Sequence, residues 1–346
     1  MVGAAEGSGR GQVRQVRSLG KSALGAAALA HQGELPVVHV AMATLNGRAY
    51  IASQVRSILD QRGVEVRLVV SDDGSTDGTL EWLQDLAARD PRVRVLPSRG
   101  GPPGLAANFL YALRHLQVLP GQYAALSDQD DIWRPRKLES QVRLLRESGA
   151  AAVSSNVFAI WVQADGGVTK RLVKKDQPQT QWDFVFEAPG PGSSFLLDHS
   201  AWELVTAASG MGQLRDLWLH DWYIYAVLRA AGMRWVIDSE PTVAYRQHQQ
   251  NVLGEHRGKD AILARLHNLR SGRYRSQFIL VAEQALQVGQ WQGRDQAWLA
   301  ELSDLVDLLR DTSFLSRLKI FIRFGEIRRS RFDGLALAAA CLLGQW

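Results

Sequence analysis

Three carboxylates stand within four residues in Ser127-Asp128-Gln129-Asp130-Asp131-Ile132-Trp133, directly after the apolar run Tyr123-Ala124-Ala125-Leu126. So much negative charge at the end of a buried strand is costly unless a divalent cation offsets it. An oxygen-only ligand set with room for water and phosphate suits Mg2+ or Mn2+. A second acidic cluster, Ser71-Asp72-Asp73-Gly74-Ser75-Thr76-Asp77-Gly78-Thr79, follows another apolar run. A solvated turn in which Asp77 caps the next helix accounts for Asp77, Gly74 and Gly78. It does not account for the adjacent, mutually repelling pair Asp72 and Asp73. Asp221, in His220-Asp221-Trp222-Tyr223, precedes a helical run with Ile224, Val227 and Leu228. From the residues alone, Asp221 is equally a helix cap and a carboxylate available for proton transfer. His220 reads as packing, and His248 as a lone histidine whose commoner role is structural. Gly192-Ser193-Ser194-Phe195, preceded by Pro189 and Pro191, reads as a rigid loop.

The elements that must position these groups alternate along the chain. Val37 to Thr44 is an apolar, β-branched run of the kind that forms a buried strand. Ala49 to Gln61 carries Ile51, Val55, Ile58 and Leu59 at helical spacing. Val66 to Val70 is a second strand, and Asp77 to Ala88 a helix with Leu80, Leu83 and Leu86 inward. Val93 to Leu96, a helix from Leu105 to Leu116 and the strand Tyr123 to Leu126 complete the series. Such alternation predicts an α/β fold, a mainly parallel Rossmann-like sheet flanked by helices with right-handed crossovers. Ligands then bind beyond the carboxyl ends of the strands, where both acidic clusters fall.

Composition narrows the class. Apolar residues are 46% and charged residues 22% of 346, ordinary globular usage. The single cysteine, Cys341, excludes a disulfide scaffold or a cysteine zinc site and agrees with a reducing compartment. Residues 1–21 hold four cations against one anion, and residues 310–331 seven against two, within a net charge of +5. The remainder is therefore slightly acidic, which argues against a nucleic-acid partner and suits an anionic membrane surface better. The longest apolar run near either end, Leu335 to Leu343, is far short of the ~20 residues that span a bilayer. Ser22 to Ala30 resembles a signal-peptide core but is mostly Ala and Gly, so residues 1–35 are expected to be a flexible or weakly helical extension.

The ordered motifs Thr44-Leu45-Asn46-Gly47, Asp72-Asp73-Gly74-Ser75-Thr76-Asp77-Gly78-Thr79 and Ser127 to Trp133 resemble those of family 2 glycosyltransferases with the GT-A fold. The resemblance covers about residues 36–255. Ser127 to Trp133 with Pro135 and Lys137 is similar to the bacterial rhamnosyltransferase branch. So are Gly104-Leu105-Ala106-Ala107-Asn108-Phe109 and Tyr245-Arg246-Gln247-His248 with Asn251 and Gly254. This resemblance implies that Thr44 and Asp73 meet the nucleotide base and ribose, with Asn46, Asp72 and Asn108 in the same nucleotide-sugar site. Asp128 and Asp130 match the Asp-X-Asp element, Asp130 facing the metal and Asp128 the donor or the metal. Asp131 would assist through water or cap the helix starting near Pro135. His248 matches a position that reaches metal or diphosphate. Asp221 matches the catalytic base of an inverting transfer, and Gly192, Ser193 and Trp222 the acceptor site. The cofactor implied is Mg2+ or Mn2+, and the donor a nucleotide diphosphate sugar, with dTDP-L-rhamnose suggested by the branch. The acceptor implied is a glycan or lipid-linked glycan of bacterial surface polysaccharide synthesis.

The Gln-X-X-Arg-Trp signature of processive members is absent, which favours single additions. Residues 36–255 are thus read as the catalytic domain and residues 256–346 as a helical region. Ile262, Leu266 and Leu269 are spaced for one helix there, and Leu302, Leu305, Leu308 and Leu309 for another. Trp291 and Trp298 are expected in the core or at helix contacts. Phe314 to Phe332 mixes apolar residues with Arg317, Lys319, Arg323, Arg328, Arg329 and Arg331, the pattern either of an interfacial amphipathic helix or of a helix packed on the catalytic domain with a solvated basic face. The expected location is the cytoplasm, at the inner face of the cytoplasmic membrane. Two alternatives remain. A nucleotidyltransferase would open with a Gly-rich phosphate loop, where this chain has Leu45-Asn46-Gly47-Arg48. A non-catalytic sugar- or membrane-binding module would not need both acidic clusters and Asp221.

Overall fold

Val37–Thr44 forms the first strand, β1, and is buried on both faces, as a central parallel strand must be. Val38, Val40 and Met42 point to one apolar layer, and Ala41 and Ala43 to the other. The computed structural model of the chain describes residues 34–163, 167–211, 214–248 and 270–346. Asn251, Gly254, the segment with Ile262, Leu266 and Leu269, the boundary at 255/256 and residues 1–33 lie outside them.

The first half follows the expected alternation: α1 (Ile51–Leu59), β2 (Glu65–Asp72), α2 (Thr79–Ala87), β3 (Val93–Val95), α3 (Leu105–Arg114) and β4 (Tyr123–Ser127). Strands β3, β2, β1 and β4 lie side by side and are parallel. Thr44 stands opposite Asp72, and Met42 opposite Ser127, so both acidic clusters emerge from one edge.

The second half is mixed rather than parallel. It comprises β5 (Ile132–Trp133), α4 (Lys137–Ser148), β6 (Ala152–Val162), β7 (Val168–Val173), a short helix α5 (Asp183–Phe186), a 3-10 turn (Gly192–Ser194), β8 (Leu196–Asp198), α6 (His199–Met211), α7 (His220–Ala230) and β9 (Trp235–Arg246). The sheet continues from β4 through β8, β6, β9 and β5, with β7 paired on β6. Strand β8 runs antiparallel to β4 and β6, and β5 antiparallel to β9, while β6 and β9 are parallel. The difference arises beyond β4, where β5, β7 and β8 each lie antiparallel to their neighbours.

Five helices follow: α8 (Arg273–Trp291), α9 (Gln296–Arg310), α10 (Phe314–Ile322), α11 (Phe324–Ile327) and α12 (Arg331–Leu342). Phe278, Val281 and Ala285 of α8, Leu302, Leu305 and Leu309 of α9, and the apolar side of α7 belong to one buried cluster. Residues Pro36–Trp346 are one compact unit. Trp298 packs 5.7 Å from Trp182, as expected, but Trp291 is 45% exposed. The expected interfacial helix over Phe314 to Phe332 is interrupted. Arg328 is extended at φ −142°, and Arg329 is buried against Asp183 and Glu187. Long-range charge pairing overrides the local helical spacing there.

Trp182 is fully buried, 5.9 Å from Phe184, and its backbone N–H donates to the Glu326 carbonyl at 2.9 Å. Its indole N–H finds no acceptor among the described residues. Trp182→Ala should therefore destabilise the protein by ~3–5 kcal/mol. Trp182→Phe, which keeps an aromatic ring and removes the unpaired donor, should lose much less. Urea unfolding midpoints of the two variants test this; equal losses would mean that ring burial is not what matters at Trp182.

Candidate active site

At the end of β1 and β2 the chain spends its carboxylates on its own backbone. Asp72 Oδ1 accepts from the N–H groups of Gly74 (3.0 Å) and Ser75 (2.8 Å). Its Oδ2 accepts from the hydroxyls of Thr44 (2.7 Å) and Ser75 (2.6 Å). Asp72 thus shapes the turn, which Gly74 closes at φ +93°, a backbone conformation that only glycine adopts freely. Asn46 binds the same loop: its Oδ1 accepts from Thr76 N at 2.8 Å, and its N–H donates to Ser75 Oγ at 2.8 Å. Asn108, nearly buried, donates to the carbonyls of Ser71 and Thr44 at 3.1 and 3.3 Å. Asp77 Oδ1 accepts from the Thr79 N–H at 3.1 Å and so caps α2 from just outside Gly78. Asp73 points elsewhere. Its carboxylate receives two bonds from Arg99, at 2.6 and 3.0 Å, and one from Gly104 N at 2.7 Å. Arg99 lies in a Gly/Pro loop after β3 and gave no signal in the sequence.

The acidic loop after β4 is strapped to the loop after β1. Gln129 Oε1 accepts from Leu45 N, and its Nε2 donates to Leu45 O, both at 2.9 Å. A side chain on Gly47 would occupy the space of the Gln129 amide. Asp130 Oδ2 meets His248 Nε2 at 2.8 Å, and His248 stacks on Tyr50 at 4.8 Å. His248 is thus brought to Asp130, the carboxylate that the resemblance sets toward the metal. Asp131 is fully buried; it accepts from Ser193 Oγ at 2.6 Å and from Arg246 N at 3.1 Å. It does not cap α4, whose first residue is preceded by Arg136 without a side-chain cap. Burial, and then Asp130, push the Asp131 carboxyl up to about 8. Burial, and then Asp131, Asp130 and Asp221, hold Asp128 well above the usual carboxylate range. Burial and the same four carboxylates raise the Tyr245 phenol. Asp221 therefore shares one field with the acidic loop, although more than ninety residues separate them. Among the described residues no three His, Cys, Asp or Glu side chains are grouped so as to hold a metal ion by themselves. Carboxylate oxygens with a surplus of negative charge are donors of the kind that Mg2+ or Mn2+ takes when phosphate and water complete its shell.

Asp221 sits in the first turn of α7. The cap position is Leu219, without a side-chain bond, and Asp221 Oδ1 accepts from Trp222 N at 2.7 Å. Burial raises its carboxyl to about 6, against the lowering effects of the Trp222 N–H and the Lys175 ammonium. Lys175, two residues past β7, gave no signal in the sequence. His220 stacks on Phe109 at 3.6 Å; burial pushes it down to about 3, so it is neutral and packs as expected. Gly192 is required by this stack, because a side chain there would run into His220 Nε2. Ser193 is fully buried on Asp131. Trp222, expected at the acceptor, is a core residue: it is 4% exposed, its indole donates to Phe184 O at 2.9 Å, and its ring edge meets Phe278. Almost every residue of α7 is buried, so an aromatic beside Asp221 has no face left for a sugar.

The family model described as Glycosyl transferase family 2 matches residues 39–187, from β1 to the end of α5. The chain belongs to the family 2 glycosyltransferases. The dTDP-rhamnosyl transferase RfbG of Shigella flexneri is 34% identical over 307 residues, covering 87% of this chain and 99% of that protein. A teichuronic acid biosynthesis glycosyltransferase of Bacillus subtilis described as putative, TuaG, is 36% identical over 116 residues, 34% of this chain and 44% of its own. Among solved structures, the mannosyltransferase PcManGT from Pyrobaculum calidifontis, in complex with GDP-Man and Mn2+, aligns with a TM-score of 0.49 at 15% identity, covering 91% of this chain and 86% of that one.

Proposed function

We propose that this glycosyltransferase moves L-rhamnose from dTDP-L-rhamnose to a glycan acceptor of bacterial surface polysaccharide, with inversion at the anomeric carbon. The convergence of Asp221 with Asp128, Asp130 and Asp131 carries the reading, because inversion needs a base on one side of the sugar and charge handling on the other. The likeness to RfbG over most of both chains supports the donor. Thr44 and Asp73 take the nucleoside, Asp73 being held in place by Arg99. Asp130 and Asp128 would hold Mg2+ or Mn2+, which offsets charge on the departing diphosphate. Asp221 accepts the acceptor hydroxyl proton as that oxygen bonds to the anomeric carbon, and the bond to the diphosphate breaks with its electron pair. A β-linked donor then gives an α-L-rhamnoside. Neither a nucleotidyltransferase nor a binding module accounts for family membership together with Asp221.

A lipid-linked acceptor places the enzyme at a membrane surface. No helix among the described residues is long and apolar enough to cross a membrane. Instead Phe314, Leu315 and Ile322 of α10, Phe332 and Leu335 of α12 and Leu343 just past its end are exposed. Lys319 and Arg331 join them, whereas Arg328 and Arg329 face inward on Glu187. That combination suits the headgroup boundary of an anionic bilayer at the inner face of the cytoplasmic membrane.

Four outcomes test this reading. Asp221→Asn should lower turnover ~10²–10⁴-fold with donor affinity unchanged. For the wild type, kcat/KM should fall as pH drops through about 6, where Asp221 becomes protonated despite Lys175; a rate independent of pH there would remove Asp221 as the base. Calorimetric titration of dTDP should show Mn2+-dependent binding that Asp130→Asn abolishes; equal binding in EDTA would exclude the metal role. Sedimentation with anionic vesicles should capture the wild type, weaken at ~0.5 M salt and fail for the Phe332→Ser, Leu343→Ser double variant. Equal capture by neutral vesicles would exclude the anionic surface.

A further inference from the structure

Outside the reacting groups, the densest set of buried charges lies where the C-terminal helices meet the catalytic half. Asp183 is fully buried, and Arg329, from the extended link between α11 and α12, exposes 1% of its side chain. Arg329 Nη1 donates to Asp183 Oδ2 at 3.1 Å, and Nη2 donates to Glu187 Oε2 at 3.1 Å and to the Ala188 carbonyl at 2.7 Å. The Arg329 backbone N–H adds a bond to Glu187 Oε1 at 2.6 Å. The carbonyl of Glu326, just upstream, accepts from Trp182 N at 2.9 Å and Thr180 Oγ1 at 2.7 Å. One extended stretch of the C-terminal region thereby grips residues 180–188.

Those residues join two parts of the active site. Asp183 also accepts from Tyr225 Oη at 2.7 Å and from Arg229 Nη1 at 2.9 Å, and Arg229 Nη1 donates to Tyr225 Oη at 2.6 Å. Asp221, Tyr225 and Arg229 are four residues apart on α7, so they share one stripe of the helix. Fixing Tyr225 and Arg229 on Asp183 therefore fixes the rotation of α7 that aims Asp221. In the other direction, Glu187 and Ala188 lead to Pro189, whose carbonyl accepts from Ser154 Oγ at 3.1 Å. Beyond it lies the Gly192–Ser194 turn, where Ser193 donates to Asp131. A single guanidinium is thus linked to the base-bearing helix on one side and to the acidic loop on the other.

We propose that Arg329 is a positioning residue for the transfer step: through Asp183 and Glu187 it sets the orientation of Asp221 relative to the acidic loop. The role rests on Asp221 being the base. The planar fork of arginine reaches three acceptors at once, and lysine, a point charge on a flexible stem, does not. Arg329→Lys keeps the charge balance with the two carboxylates but releases the geometry.

The test measures transfer and binding separately in the full-length protein. Arg329→Lys should lower kcat at least tenfold, leave dTDP affinity in Mn2+ within twofold, and shift the acid limb of the pH profile. Tyr225→Phe, which removes one of the two α7 contacts to Asp183 without altering any charge and leaves the Arg229 contact, should lower kcat in the same direction, and reports on the role even where Arg329→Lys does not fold. Wild-type kcat in every folded variant overturns the positioning role while leaving the base assignment intact, provided Asp221→Asn is inactive. Wild-type turnover in Asp221→Asn overturns the base assignment and this role with it, so the two failures read differently.

Discussion

Negative charge gathered at a buried strand end is the constraint around which the rest of the molecule is arranged. Asp128, Asp130 and Asp131 leave β4 together, and Asp221 enters the same region from α7. Carboxylates crowded out of water repel one another, and each must be neutralised, hydrogen-bonded or held in its acid form. The chain treats each one differently. Asp131 takes a hydroxyl and a backbone N–H, Asp130 takes His248, and Asp221 has the nearby Lys175 and the first turn of its own helix. Asp128 accepts from no described side chain, and burial with its carboxylate neighbours holds it well above the usual carboxylate range. A site in this condition is receptive to a cation arriving with a diphosphate, since that ligand brings the charge the protein withheld.

The same logic separates the two acidic clusters that look alike as strings. At β2, Asp72 is saturated by four donors and Asp73 by an arginine and a backbone N–H. That cluster is a built turn whose two carboxylates are both taken up. At β4 the donors fall unevenly, two on Asp131, one on Asp130 and none from a described side chain on Asp128, which leaves negative charge to be offset.

Local spacing made much of this legible. Strand and helix periodicity placed β1 to β4, and the register then put Thr44, Asp72 and the acidic loop on one edge, as the alternation required. Asp221 was legible only through family likeness, because a carboxylate at a helix start is ambiguous by itself. What could not be read was long-range pairing. Arg99 sits in a loop without a motif, Lys175 in a charged pair, and Arg329 inside a stretch whose periodicity spelled a single amphipathic helix. Arg329 finds its carboxylates some 140 residues away, and those contacts break the helix. Trp222 misled for a related reason: an aromatic beside a candidate base suggests a sugar platform, but α7 is apolar on nearly every side and turns that ring inward.

The strap between Gln129 and Leu45 has a consequence for how such a chain can vary. The amide of Gln129 closes a false rung between two strand ends, using the volume that a side chain on Gly47 would need. Residues 47 and 129 are thus coupled, more than eighty positions apart. A side chain at residue 47 would have to push the Gln129 amide aside, and with it the two bonds to Leu45. A hybrid that takes its first loop from one relative and its acidic loop from another would join two intact halves and still leave this seam unfastened.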